Sequence, residues 1–116
     1  MIYLANAFSL SMLPGSARIT ADPIDRELSP EMGRYLADRH IQSVVGHQGT
    51  ADVLAAKLGI DVPVNRVNLK VQYGDSVYVA QPSTRLAEGQ VLSKEELEAV
   101  PMSFWVVTVM RPVGSN

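Results

Sequence analysis

The chain has 116 residues, 47% of them hydrophobic and 19% charged, and 10 Lys and Arg against 12 Asp and Glu leave a net charge of −2. That is the composition of one globular domain rather than a disordered segment, with length enough to bury roughly two-thirds of its unfolded surface. No Cys is present, so a disulfide framework, a thiolate nucleophile and a Cys-based zinc site are excluded, and a weakly acidic chain with two His is poorly suited to a metal cluster or to long DNA or RNA.

Ile2 to Asn6 reads as a short buried strand, and Ser9 to Leu13 as a loop or single helical turn closed by Pro14-Gly15. Ala17 to Ala21 is a second strand. Ser29-Pro30-Glu31 opens a helix, with Ser as the cap, Pro at the first position and an acidic first turn. Met32, Tyr35 and Leu36 follow at helical spacing. Ile41 to Val45 fits either a short strand or a further helical piece. Gly46-His47-Gln48-Gly49 reads as an elbow, and Thr50 as the cap of a helix that ends at Gly59.

Arg66 to Gln72 alternates without a break: Val67, Leu69 and Val71 on one face, Arg66, Asn68, Lys70 and Gln72 on the other. The pattern predicts a strand, and the Gly74-Asp75 turn makes Ser76 to Gln81 its antiparallel partner. Ser93-Lys94-Glu95-Glu96 is a capping box for a short helix ending before Pro101. Phe104 to Val109 is apolar on both faces and reads as a central core strand.

The expected architecture is therefore α/β: a single domain over residues 1–111 with a mixed sheet of about five strands flanked by short helices. Residues 112–116 read as a mobile tail. No membrane segment is expected. The run from Met102 to Met110 has nine residues, against about 20 needed, and the uncharged stretch up to Ala17 lacks the basic start of a signal peptide. The absence of Cys suits the cytoplasm.

Candidate chemistry concentrates in three places. His47, between glycines and just upstream of a helix start, stands where amides and the positive helix end favour a phosphate, and a His there suits a general acid. The plain alternative is a surface-loop His. Arg66 opens the polar face of the alternating stretch, where a solvated strand residue is the simpler reading. Arg85, in the loop after Ser76 to Gln81, could offset charge on a phosphate, with Glu88 three residues on to orient it or act as a base. The alternative is a surface ion pair worth about 0–1 kcal/mol. Asn6, Ser9 and Ser11 follow the first strand and suit either ligand hydroxyls or plain turn chemistry. His40, beside Arg39, reads as structural.

A resemblance carries this further. Tyr3 to Ser9 with Met12-Leu13, Gly46-His47 with Thr50, Asn65-Arg66-Val67 with Lys70, Tyr78-Val79 with Gln81, and Ser83, Arg85-Leu86 and Glu88-Gly89 together resemble the viral anti-CRISPR ring nucleases, small proteins of archaeal viruses. The matches run in order from Tyr3 to Gly89. The resemblance implies metal-independent cleavage of cyclic tetra-adenylate, the second messenger of type III CRISPR defence, by a homodimer with no cofactor. It implies His47, Arg85 and Glu88 as catalytic, and Asn6, Ser9, Ser11, Gly46, Thr50, Arg66 and Gln81 as ring-holding. Three departures stand out: Ser11 where an Asn occurs in the archaeal viral pattern, Gly49 where a Ser occurs, and Pro82 inserted after Gln81. A non-catalytic sponge for a cyclic nucleotide and a protein-interaction domain of the same fold are the rival functions.

Overall fold

The computed structural model describes residues 1–84, 86 and 91–114. Five strands form one mixed sheet: β1 (Ile2–Ala5), β2 (Arg18–Pro23), β3 (Gln42–Ser43), β4 (Ser76–Pro82) and β5 (Met102–Met110), in the order β2-β5-β4-β1-β3. β1 runs parallel to both β3 and β4, with Leu4 opposite Ser43 on one side and Tyr78 on the other. β4 and β2 pair antiparallel with β5. Three helices, α1 (Pro30–Asp38), α2 (Gln48–Leu58) and α3 (Lys94–Ala99), complete the order, with a single 3-10 turn at Leu10–Met12. The expected mixed sheet with short helices is what forms.

Local signals placed the helices well. Ser29 Oγ accepts from Met32 N at 3.2 Å, Pro30 fills the first position, and Ser93 forms the full capping box with Glu96. Gly59 closes α2 at φ +66°, a left-handed conformation that costs glycine nothing. Just past the Arg39 cap of α1, His40 is a non-glycine residue at φ +56°. One face of the sheet carries α1 and α2 over a core of Leu4, Leu36, Leu54, Leu58, Ala80 and Phe104. Each Leu or Phe side chain there contributes about 1.5–3 kcal/mol relative to exposure. α1 and α2 touch closely: a Cβ on Gly33 would lie 1.8 Å from the Leu58 carbonyl oxygen.

The expected hairpin does not form. Residues 66–72 belong to no strand, and β4 lies between β1 and β5 instead. The stretch 65–73 crosses the face of the sheet opposite the helices, where Val71 is buried with Leu69 and Tyr73 against Ala5, Val77, Val79, Val107 and Val109. Its alternation reports one buried side, which an extended segment needs whether or not it joins a ladder. Asp75 fixes the turn into β4. Its carboxylate accepts from Gln72 N at 2.8 Å and from the Met1 amino group at 3.1 Å. β5 is an interior strand, with β4 the middle one of the five. Phe104, Val107 and Val109 are core, but Trp105 is 40% exposed, so the expectation of a strand buried on both faces fails at that residue. Tyr35 of α1 is 45% exposed, with the Arg39 guanidinium 3.5 Å over its ring.

Candidate functional site

β1 is the switch point of the parallel part of the sheet, with β3 on one side and β4 on the other. Ligands of open α/β sheets gather outside the carboxyl ends of the strands at such a point, because the chain diverges there and leaves a crevice. Asn6 follows the end of β1, Gly46 and His47 follow β3, and Gln81 stands near the end of β4.

Hydrogen bonds tie these pieces together. Asn6 Oδ1 accepts from Gly46 N at 3.0 Å, and Gln81 Nε2 donates to Asn6 O at 3.3 Å. Arg66 Nε donates to Gly46 O. The approach is close: a Cβ on Gly46 would meet Arg66 Cγ at 3.2 Å, so the arginine side chain would have to give by a few tenths of an ångström. A cleft of about 370 Å³ opens beside them, lined by Asn6, Gly46, Arg66 and Asn68 among others. A second, of about 310 Å³, adjoins it through Met12, Val67, Asn68 and Leu69, and takes in Ser9, Ser11 and Lys70. Ser9 and Ser11 share a hydrogen bond of 2.7 Å between their hydroxyls, and Lys70 Nζ donates to Ser11 O at 2.6 Å. Lys70 and Asn68 are absent from the sequence-derived candidates, although their place on the polar side of the alternating stretch is the signal that could have found them.

His47, not Thr50, caps α2. Its Nδ1 accepts from Thr50 N at 3.1 Å, satisfying one of the amides a helix start leaves without a partner. Only an unprotonated Nδ1 can accept an N–H. Thr50 is only 4% exposed, and its hydroxyl lies 3.1 Å from the same Nδ1. Thr50, which the resemblance places among the ring-holding residues, is turned toward the imidazole here. Arg85 and Glu88 lie outside the described residues. A larger cleft, about 670 Å³, sits elsewhere, between Ile24–Leu28 and the α3 end, and none of the candidates among the described residues lines it. Among the described residues, no group of three or more His, Asp or Glu could hold a metal ion, and no helix is long and apolar enough to cross a membrane.

Fold and site together define a small α/β protein that gathers polar side chains from three sequence regions at the carboxyl ends of its parallel strands. The chain belongs to the STIV B116-like family, which matches residues 2–104. It is 30% identical over 112 residues to protein 26 of Sulfolobus islandicus filamentous virus, covering 95% of this chain and 92% of that one. It is 30% identical over 108 residues to ORF117 of Acidianus two-tailed virus, covering 92% of each. B116 of Sulfolobus turreted icosahedral virus has a similar solved structure, with a TM-score of 0.73 at 31% identity, covering 92% of this chain and 97% of that one.

Proposed function

We propose that this protein is a ring nuclease that cleaves cyclic tetra-adenylate without a metal, and so switches off or evades type III CRISPR immunity. The observation that best supports the reading is the hydrogen-bonded meeting of Asn6, Gly46, Arg66 and Gln81 at the carboxyl ends of β1, β3 and β4, with His47 next in the chain after Gly46, beside a cleft continuous with Ser9, Ser11 and Lys70. Cationic and amide donors there suit phosphates. The polar loops suit riboses.

In the reaction, a ribose 2′-oxygen attacks its adjacent phosphorus in line, losing its proton to water as the new P–O bond forms. The bond from phosphorus to the 5′-oxygen breaks, and the bonding pair leaves with that oxygen, which takes a proton from His47. Two such cuts convert the ring into two linear di-adenylates, each with a 2′,3′-cyclic phosphate and a 5′-hydroxyl. Arg85 offsets the charge that grows on the phosphorane, and Glu88 orients the nucleophile or Arg85. Asn6, Ser9, Ser11, Gly46, Thr50, Arg66 and Gln81 hold the ring. The same reading makes the protein a homodimer, since a two-fold symmetric ring matches an isologous pair of protomers. Light scattering that gives a monomer mass with activity intact overturns this part.

Labelled cyclic tetra-adenylate incubated with the protein in excess chelator tests the whole. Turnover is the expected result. Retention without turnover replaces the enzyme by a sponge, and neither outcome leaves an interaction domain. His47→Ala is expected to hold the ring and cleave it about 10²- to 10⁴-fold more slowly, the usual worth of a general acid.

A further inference from the structure

We infer that Gly49 and Thr50 form a seat for the His47 imidazole that fixes which of its nitrogens carries the proton, making both of them positioning residues. Two independent contacts point this way. First, Thr50 presents its amide and its hydroxyl to the same atom, Nδ1, each at 3.1 Å. The amide can only donate, so the neutral ring keeps its lone pair on Nδ1 and its proton on Nε2. Nε2 then bears a proton in both the neutral and the charged ring; when the charged ring gives that proton up, the one left on Nδ1 turns from the Thr50 amide to the Thr50 hydroxyl, which accepts it. Second, the ring lies over the first turn of α2 in space that only glycine leaves: a Cβ on residue 49 would meet His47 Cε1 at 2.9 Å and Nδ1 at 3.3 Å. A side chain at 49 therefore displaces the ring rather than the helix.

The glycine is thus a requirement of this chain's own His47 placement. Burial of Thr50 shields its hydroxyl from water that would otherwise compete for Nδ1. The consequence for cleavage rests on the ring-nuclease reading, whereas the seat itself does not.

The test reads the ring directly. In ¹⁵N-labelled protein held alkaline enough to keep His47 neutral, imidazole ¹⁵N resonances are expected to show Nδ1 unprotonated and Nε2 protonated. Gly49→Ala, which places a better helix former in the first turn, should keep the fold by circular dichroism and lose that bias. Thr50→Val should shift the Nδ1 resonance, and Thr50→Ser should restore it. With cyclic tetra-adenylate, Gly49→Ala should cleave on the order of 100-fold more slowly while binding within about twofold, as for a catalytic group misplaced by about 1 Å. A mixed or Nδ1-protonated ring in the unaltered protein overturns the seat. So does a ring signature left unchanged by both Gly49→Ala and Thr50→Val. A seated ring in a protein that leaves cyclic tetra-adenylate intact supports the seat and overturns the nuclease reading instead.

Discussion

Two neighbouring stretches, 66–72 and 76–82, are both extended, yet only the second is a strand; the first packs Leu69 and Val71 against one face of the sheet, whereas the second buries side chains on both faces. β4 has β1 on one side and β5 on the other, so both of its backbone edges are paired. The stretch 66–72 lies across the sheet instead and holds on through single bonds, such as Val71 N to Met12 O at 2.9 Å. What separates them is the availability of an open edge at the right register, which is a property of the rest of the chain. The difference also has a use. A segment outside the ladder can send Arg66, Asn68 and Lys70 into the clefts, whereas β4 spends its backbone on the sheet.

The strongest way to break the comparison is a charge in each stretch. Val77→Asp, at a position 0% exposed in β4, is expected to cost about 4 kcal/mol or more, since it buries an ion with no partner. Val67→Asp, at a position 53% exposed, should stay within about 0.5 kcal/mol. Urea denaturation measures both, and equal costs would mean that 66–72 is as enclosed as β4.

Arg66→Ala probes the purpose of the off-ladder stretch. It should weaken binding of cyclic tetra-adenylate by about 1.5–3 kcal/mol, the range for a hydrogen bond to a charged group. Unchanged binding by calorimetry would remove Arg66 from the ring-holding set. Asp75→Ala tests the joint between the stretches. It strands the Gln72 amide and the Met1 amino group, and is expected to cost about 1–3 kcal/mol by denaturation.

The reading of residues captured what is decided locally. Ser29, Gly59 and the Ser93 box announce the helices because a cap is a contact between near neighbours. The true partners of β4 are not legible because pairing is chosen between distant segments: β4 finds its neighbours in Ile2–Ala5 and Met102–Met110. The site divides in the same way. His47 and Gly46 were legible from glycines beside a helix start. That Nδ1 would itself cap α2, and that Thr50 would be buried beneath it, depends on how the ring packs, which spacing does not record.

The smallest expected effect belongs to β4 alone and appears at alkaline pH. Burial first, and then Tyr35, push the Tyr78 hydroxyl above its ordinary value of 10.0. The folded state thus binds this proton more tightly than the unfolded one. Its contribution is intact below pH 10 and is lost as pH rises through the folded value. Tyr3 acts in the same direction. Tyr78→Phe should therefore flatten, without abolishing, the fall of the urea midpoint above pH 10. An unaltered slope would assign that fall to other groups.

The close approach of Gly33 to the Leu58 carbonyl makes a fulcrum of the far end of α2. The helix has 11 residues, a stiff rod of about 16 Å at about 1.5 Å per residue. Its tip carries His47. Any bulk added at position 33 must push the Leu58 end outward, and a rod pivoted there swings at its opposite end. The aim of the imidazole is thus set partly by a glycine on another helix that touches no ligand. Enlarging Gly33 would detune the site from a distance before it unfolded the domain.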